Sequence, residues 1–68
     1  MSEPLYPDIV VDITGEPKRS FIVMGLVTSA LKQARVPLDV INEFIEECMH
    51  GDYEGALATC REYVTVRP

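Results

Sequence analysis

The chain has 68 residues, 47% of them hydrophobic and 25% charged, and eleven acids against six bases give a net charge of −5. That balance excludes the basic face needed to neutralise phosphates, so neither nucleic acid nor an anionic membrane is expected as a direct ligand. The length allows one domain with a thin core, burying about 60% of the surface its unfolded chain exposes, and the composition is too apolar for a disordered chain.

The longest strongly apolar run, Phe21 to Val27, falls far short of the ~20 residues that cross a bilayer, so no transmembrane helix is predicted. The opening MSEPLYPD is acidic and lacks the basic-then-apolar order of a secretion signal. A cytoplasmic location is therefore expected, where the two cysteines stay reduced.

Residues 1–7 carry two prolines and no periodicity, and read as an extended arm from which Leu5 and Tyr6 can dock; residues 8–68 form the domain. Asp8 to Thr14 alternates, with Ile9, Val11 and Ile13 on one face and Asp8, Val10, Asp12 and Thr14 on the other, which predicts a half-buried strand. GEPKRS supplies a turn, and Ser20 is the expected N-cap of a helix running to about Arg35. On that helix Val23, Met24, Val27, Ala30, Leu31 and Ala34 share one arc with Phe21 at its edge. Ile22 and Leu26 fall outside the arc, in a stripe with Ser29 and Gln33 where a monomer more usually carries charge.

Val36 and Pro37 separate this helix from the next, since proline disfavours a helical residue before it and suits a first turn. The second helix is expected from about Pro37 to Met49. Leu38, Ile41, Phe44, Ile45, Cys48 and Met49 point inward, and Asp39, Glu43, Glu46, Glu47 and His50 lie opposite. Gly51 fits the left-handed position that closes a helix. Asp52 then caps a third helix, with Tyr53, Ala56, Leu57, Cys60, Tyr63 and Val64 on one face. Val64 and Val66 return to alternation as a second strand.

The expected fold is thus α+β, a single small domain of order β-α-α-α-β, with a two-stranded sheet packed by three helices. The orientation of the strands stays open: simple reversal at each helix makes them parallel, and one steep crossing undoes that. An unpaired strand edge must be covered by the N-terminal arm or by a second copy.

Cys48, His50 and Cys60 are the chain's only cysteines and histidine. Structural zinc sites take four ligands in close pairs, and helical angles put both cysteines on buried faces and His50 toward solvent. They read as two core residues, made unreactive by burial, and an exposed histidine. A disulfide across the turn needs α-carbons within about 7 Å, and a reducing compartment opposes it. No base stands beside either cysteine, Glu46 and His50 make an ordinary i, i+4 surface pair, and TGEP has too few glycines to cradle a phosphate. No catalytic, cofactor-binding or metal-binding residue is predicted, and the chain is not expected to be an enzyme.

Two surfaces are unusual. Between Arg35 and Arg61 lie Asp39, Glu43, Glu46, Glu47, Asp52 and Glu54 with no lysine or arginine. The plain reading is a solvated face, and the sharper one is a docking face for a basic protein, formed by Asp39, Glu43, Glu46, Glu47 and Glu54. Ile22, Gly25 and Leu26 form the second surface, an apolar stripe with room for close approach that suits a homodimer.

The stretches SFIVMGLVTSALKQARVPLDVINEFIEE and GDYEGALATCREYVTV resemble a family of short bacterial and phage-borne proteins of unknown function, over roughly residues 9–66. The matching positions are Phe21 with Gly25, in a Phe-x-x-x-Gly step, and Gly51, Asp52 and Tyr53 leading into the last helix. GEPKRS departs from that family's shorter Asp-Gly-Asn-like turn. The resemblance implies a fold and a phage or prophage origin, and brings no activity, ligand or catalytic residue. The expected function is a small non-enzymatic protein-protein interaction domain acting as a homodimer. The alternative is an acidic inhibitor or decoy that occupies the basic site of a nucleic-acid-binding protein.

Overall fold

A computed structural model describes residues 3–67. Strand β1 (Tyr6–Asp12) is followed by helices α1 (Ser20–Gln33), α2 (Leu38–Cys48) and α3 (Tyr53–Tyr63) and by strand β2 (Val64–Arg67), the expected order. The two strands run parallel, with Val10, Val11 and Asp12 opposite Thr65, Val66 and Arg67. Alternation along β1 follows the sequence: Val11 is buried and Ile9 and Ile13 half-buried, while Asp8, Val10 and Asp12 are exposed. One face of the sheet therefore meets the helices and the other meets solvent.

The strand starts at Tyr6, so the expected arm is shorter than drawn. Tyr6 lies opposite Val64 and packs on the core, and the Leu5 amide donates to the Glu62 carbonyl at 3.0 Å. Tyr6 extends the pairing with β2, and Leu5 ties back to the last turn of α3, rather than covering a free edge. The register is irregular between Tyr6 and Val10, around Pro7, which has no amide to give the ladder. Its carbonyl is satisfied from the side, by the Thr65 hydroxyl at 2.8 Å. Met1, Ser2 and Pro68 of the expected arm and domain lie outside the described residues.

A tight turn follows β1. The Glu16 amide donates to the Ile13 carbonyl at 3.1 Å and Gly15 takes φ +81°, the third-position conformation that calls for glycine. The Asp12 carboxylate accepts from the Thr14 amide at 2.8 Å. Bonds from Thr14, through its hydroxyl first and its amide second, hold the Asp12 carboxyl below its usual range, and Arg67 adds to the effect.

Ser20 is not the cap of α1. Arg19 holds the extended N-cap position with no side-chain bond, Ser20 is the first helical residue, and the Arg19 carbonyl takes the Ile22 and Val23 amides. At the far end the Val36 amide donates to Leu31 and the Arg35 amide to Lys32, the paired bonds of a Schellman motif. Leu31 and Val36 are both buried, which supplies the apolar contact of that motif. The left-handed residue that it requires is Arg35, at φ +61°, where glycine is the usual choice.

Ile41, Phe44 and Cys48 of α2 are buried as expected, but Leu38 and Met49 are each 65% exposed. Their angle around the helix is right, but they stand at its two ends, and Met49 lies at the rim of a cavity with Phe21 and Met24 of α1 rather than in the core. Gly51 is not left-handed either, since only Gly15 and Arg35 have positive φ among the described residues. A side chain at Gly51 would instead rest against the Gly55 backbone, at 3.5 Å. Asp52 caps α3 as predicted, accepting from the Gly55 amide at 2.9 Å. Val64, fully buried, passes straight from α3 into β2.

The core gathers Val23, Val27 and Leu31 from α1, Ile41 and Phe44 from α2, Ala56 and Cys60 from α3, and Val11 and Val64 from the strands. Each large side chain of this set contributes about 1.5–3 kcal/mol by leaving water. Phe44 meets Tyr63 edge to face, with ring centroids 5.1 Å apart.

Candidate functional site

Three places on this frame hold chemistry-bearing side chains. The first lies between α2 and α3. Tyr63 is buried at the end of α3 and its hydroxyl donates to the Glu47 carboxylate at 2.6 Å. Burial raises the Tyr63 phenol well above its usual value; the bond to Glu47 and the charges of Glu47, Glu43 and Glu62 add to it. Glu47 is therefore a tether between helices, where the sequence suggested a free docking group. Asp39, Glu43 and Glu46 are exposed on α2. Glu54 stands apart from them, in a groove beside the β1–α1 turn with Glu16, Lys18 and Arg61. Two acids face two bases there, so that groove favours neither sign of charge.

The second place is the thiol pair. Cys48 is 2% exposed and Cys60 is fully buried, both unpaired by disulfide. His50 is exposed beyond the end of α2, so the three residues do not converge. Among the described residues no three histidine, cysteine, aspartate or glutamate side chains group as a metal site. Both cysteines belong to the core cluster. The Cys48 thiol donates toward the Ala56 carbonyl, one turn before Cys60 on α3, at 4.0 Å.

Hydrogen bonding with the neighbouring thiol and burial drive the Cys60 thiol far above its usual value, in line with the expectation of an inert buried thiol; at Cys48 the neighbouring thiol acts downward, against burial. A cavity of about 230 Å³, lined by Ser20, Phe21, Met24, Met49 and Gly51, has Cys48 in its wall. Nothing in the spacing of the sequence marks this cavity; the one hint is Phe21 at the edge of the inward arc of α1.

The third place is the outward side of α1. From Ser20 to Leu31 the helix has no charged residue, and Lys32 is its first. Phe21 is 70% exposed, Gly25 and Ser29 are exposed, and Ile22 and Leu26 are half-buried. Leu26 also packs against the core, so the predicted stripe is shallower than the periodicity alone suggests. A side chain at Gly25 would meet nothing within 4 Å.

No helix of the described residues is long and apolar enough to cross a membrane. No family model matches the chain, and no curated protein or solved structure matches it. The likeness drawn from Phe21, Gly25 and Gly51 to Tyr53 rests on those residues alone.

Proposed function

We propose that this chain is a small non-enzymatic interaction protein that acts as a homodimer, two copies meeting along the outward face of α1. The observation that carries the reading is the absence of any carboxylate on α1 in a protein of net charge −5. Two copies of an acidic protein repel, and a face without carboxylates is where they approach at least cost. Gly25 leaves room for the backbone of a second helix, with Ile22, Leu26 and Phe21 flanking the contact.

The solution mass by size-exclusion chromatography with light scattering, at low and high salt, tests this. A dimer that persists in high salt is expected. A folded monomer at high micromolar concentration in both salts refutes it. Gly25→Glu, which disturbs no neighbour within the protomer, should leave a folded monomer.

The exposure of Asp39, Glu43 and Glu46 supports a second reading, an acidic inhibitor that occupies the basic site of a nucleic-acid-binding protein. With Glu47 bound to Tyr63 and Glu54 on another side, the docking face narrows to those three. Reversing Glu43 and Glu46 to lysine should abolish a salt-sensitive partner interaction; unchanged binding rules this face out.

A further inference from the structure

The open edge of β1 is used by neither reading of the function. The parallel register, with the Ile13 amide donating to the Arg67 carbonyl at 2.9 Å, fixes which backbone groups of β1 the ladder consumes. These groups alternate in direction along a strand, so Val11 and the Ile13 amide turn to β2, while Asp8, Val10 and Asp12 turn outward. Beyond the ladder those three have no backbone partner among the described residues. All three are exposed, Val10 by 51%. The N-terminal segment leaves them open, since Tyr6 pairs with Val64 and Leu5 bonds to Glu62. The outer edge of β2 is less accessible, with Val64 buried and Val66 half-buried.

The open edge alternates acid, apolar, acid. At ~3.3 Å per strand residue, Asp8 and Asp12 lie ~13 Å apart with Val10 midway. Their side chains stand on the solvent face of the sheet, so they leave the backbone of the edge free to pair with a strand in the plane of the sheet. What they decide is the charge of that strand. A second copy brings carboxylates against carboxylates, whereas a basic strand meets opposite charge at both positions. Arg67 flanks Asp12 across the ladder, on the side away from the open edge, and so does not fill the place of an incoming base.

We propose that the β1 edge binds an extended basic segment of another protein as a third strand, with lysine or arginine at positions i and i+4 opposite Asp8 and Asp12 and an apolar residue at i+2 against Val10. Main-chain bonds to Asp8, Val10 and Asp12 supply affinity, and the two carboxylates select the partner. The residues at i+1 and i+3 turn to the other face, beside half-buried Ile9 and Ile13, where apolar side chains fit. The site lies on neither α1 nor α2 and depends on neither reading of the function.

The test uses the full chain, isotope-labelled for amide spectra, and the blocked peptide acetyl-Lys-Val-Ile-Val-Lys-amide, whose pattern reads the same in either strand direction. The control, acetyl-Lys-Lys-Val-Ile-Val-amide, keeps the composition and charge and loses the spacing. The first peptide should shift the Asp8, Val10 and Asp12 signals and slow the hydrogen exchange of those amides. High salt should weaken binding severalfold. Asp8→Asn and Asp12→Asn should each weaken it by about 1.5- to fivefold, the range for one exposed charge pair.

Equal binding of the control overturns the proposal, because charge alone then attracts the peptide. Shifts centred on Asp39, Glu43 and Glu46 overturn it in favour of the α2 face. Protection of the β1 amides by the protein's own association, without peptide, overturns it in favour of a second copy. No shift at millimolar peptide overturns it outright.

Discussion

Gly25→Ala separates two descriptions of α1 by the sign of its effect. Gly25 lies mid-helix with an ordinary negative φ, and an added Cβ meets nothing within 4 Å in the protomer. For a lone protomer the substitution is pure gain, because glycine costs about 0.8–1.0 kcal/mol relative to alanine inside a helix. At roughly 4–8 °C per kcal/mol for a domain this small, the melting midpoint of dilute protein should rise by about 3–8 °C. In a dimer that packs helix against helix at Gly25, the methyl stands in the contact. The midpoint of the wild type then climbs with concentration, as any associating protein's does, and that climb should shrink in the variant. Thermal melts by circular dichroism across a hundredfold range of concentration read both effects. A lower midpoint in dilute protein refutes the account of Gly25 as an open helical position. A raised midpoint with an unchanged concentration dependence refutes its place at the contact.

Three further perturbations test the account of the fold. Arg35→Gly relieves the left-handed residue of the Schellman turn, at φ +61°, and should stabilise by about 0.5–1 kcal/mol in denaturant melts after glycine's own entropy is deducted. The Thr28 hydroxyl is buried without a hydrogen-bond partner, so Thr28→Val, of the same shape, should gain about 1 kcal/mol. Tyr63→Phe removes the bond to Glu47 and should cost about 1–2 kcal/mol at neutral pH, the hydrogen bond being made to a charged group while Glu47 stays hydrated. The same variant has a pH signature. The Tyr63 phenol is raised in the fold by burial and by Glu47, so above about pH 10 the unfolded chain releases this proton while the folded chain keeps it. Stability from this group is complete below pH 10 and falls as pH rises beyond it. Tyr63→Phe should flatten that alkaline slope, and an identical slope in both proteins refutes the assignment.

The sequence makes most of the frame readable because its signals are local. Alternation at Ile9, Val11 and Ile13, the 3.6-residue spacing of Val23, Val27 and Leu31, and the cap at Asp52 depend on neighbours a few positions away. What it hides depends on distant partners or on an unusual residue. A Schellman turn closed by arginine gives no sign, because the pattern one looks for there is glycine. Gly51 looked like such a glycine, yet its role is contact with the backbone at Gly55. The inward angles of Leu38 and Met49 are correct, but angle says nothing about whether another element covers a helix end. The cavity beside Cys48 joins Phe21 and Met24 of α1 to Met49 and Gly51 beyond α2, and periodicity places each of these residues without placing the cavity.

The sheet offers a rival dimer contact, and its charges weigh against it. Among the described residues the sheet has two strands, so β1 keeps an unpaired edge and the sheet an uncovered face, a template for antiparallel pairing with a second copy. A two-fold axis at Val10 sets Asp8 of one protomer opposite Asp12 of the other, twice over, on the face those carboxylates share with exposed Val10. Like charges directly opposite destabilise such a pair. Asp12 stays ionised to lower pH than an ordinary carboxyl because Thr14 donates to it, so protonation near neutrality gives no relief. The uncharged side of α1 has no such opposition. Salt therefore discriminates the two contacts. A strand-edge dimer should tighten as ionic strength rises and the Asp8–Asp12 repulsion is screened. An α1 dimer should respond less, through the overall charge alone. Asp12→Asn isolates the difference: it should strengthen association if the strands meet and leave it unchanged if the helices do. A tighter Asp12→Asn dimer would move the interface from α1 to β1.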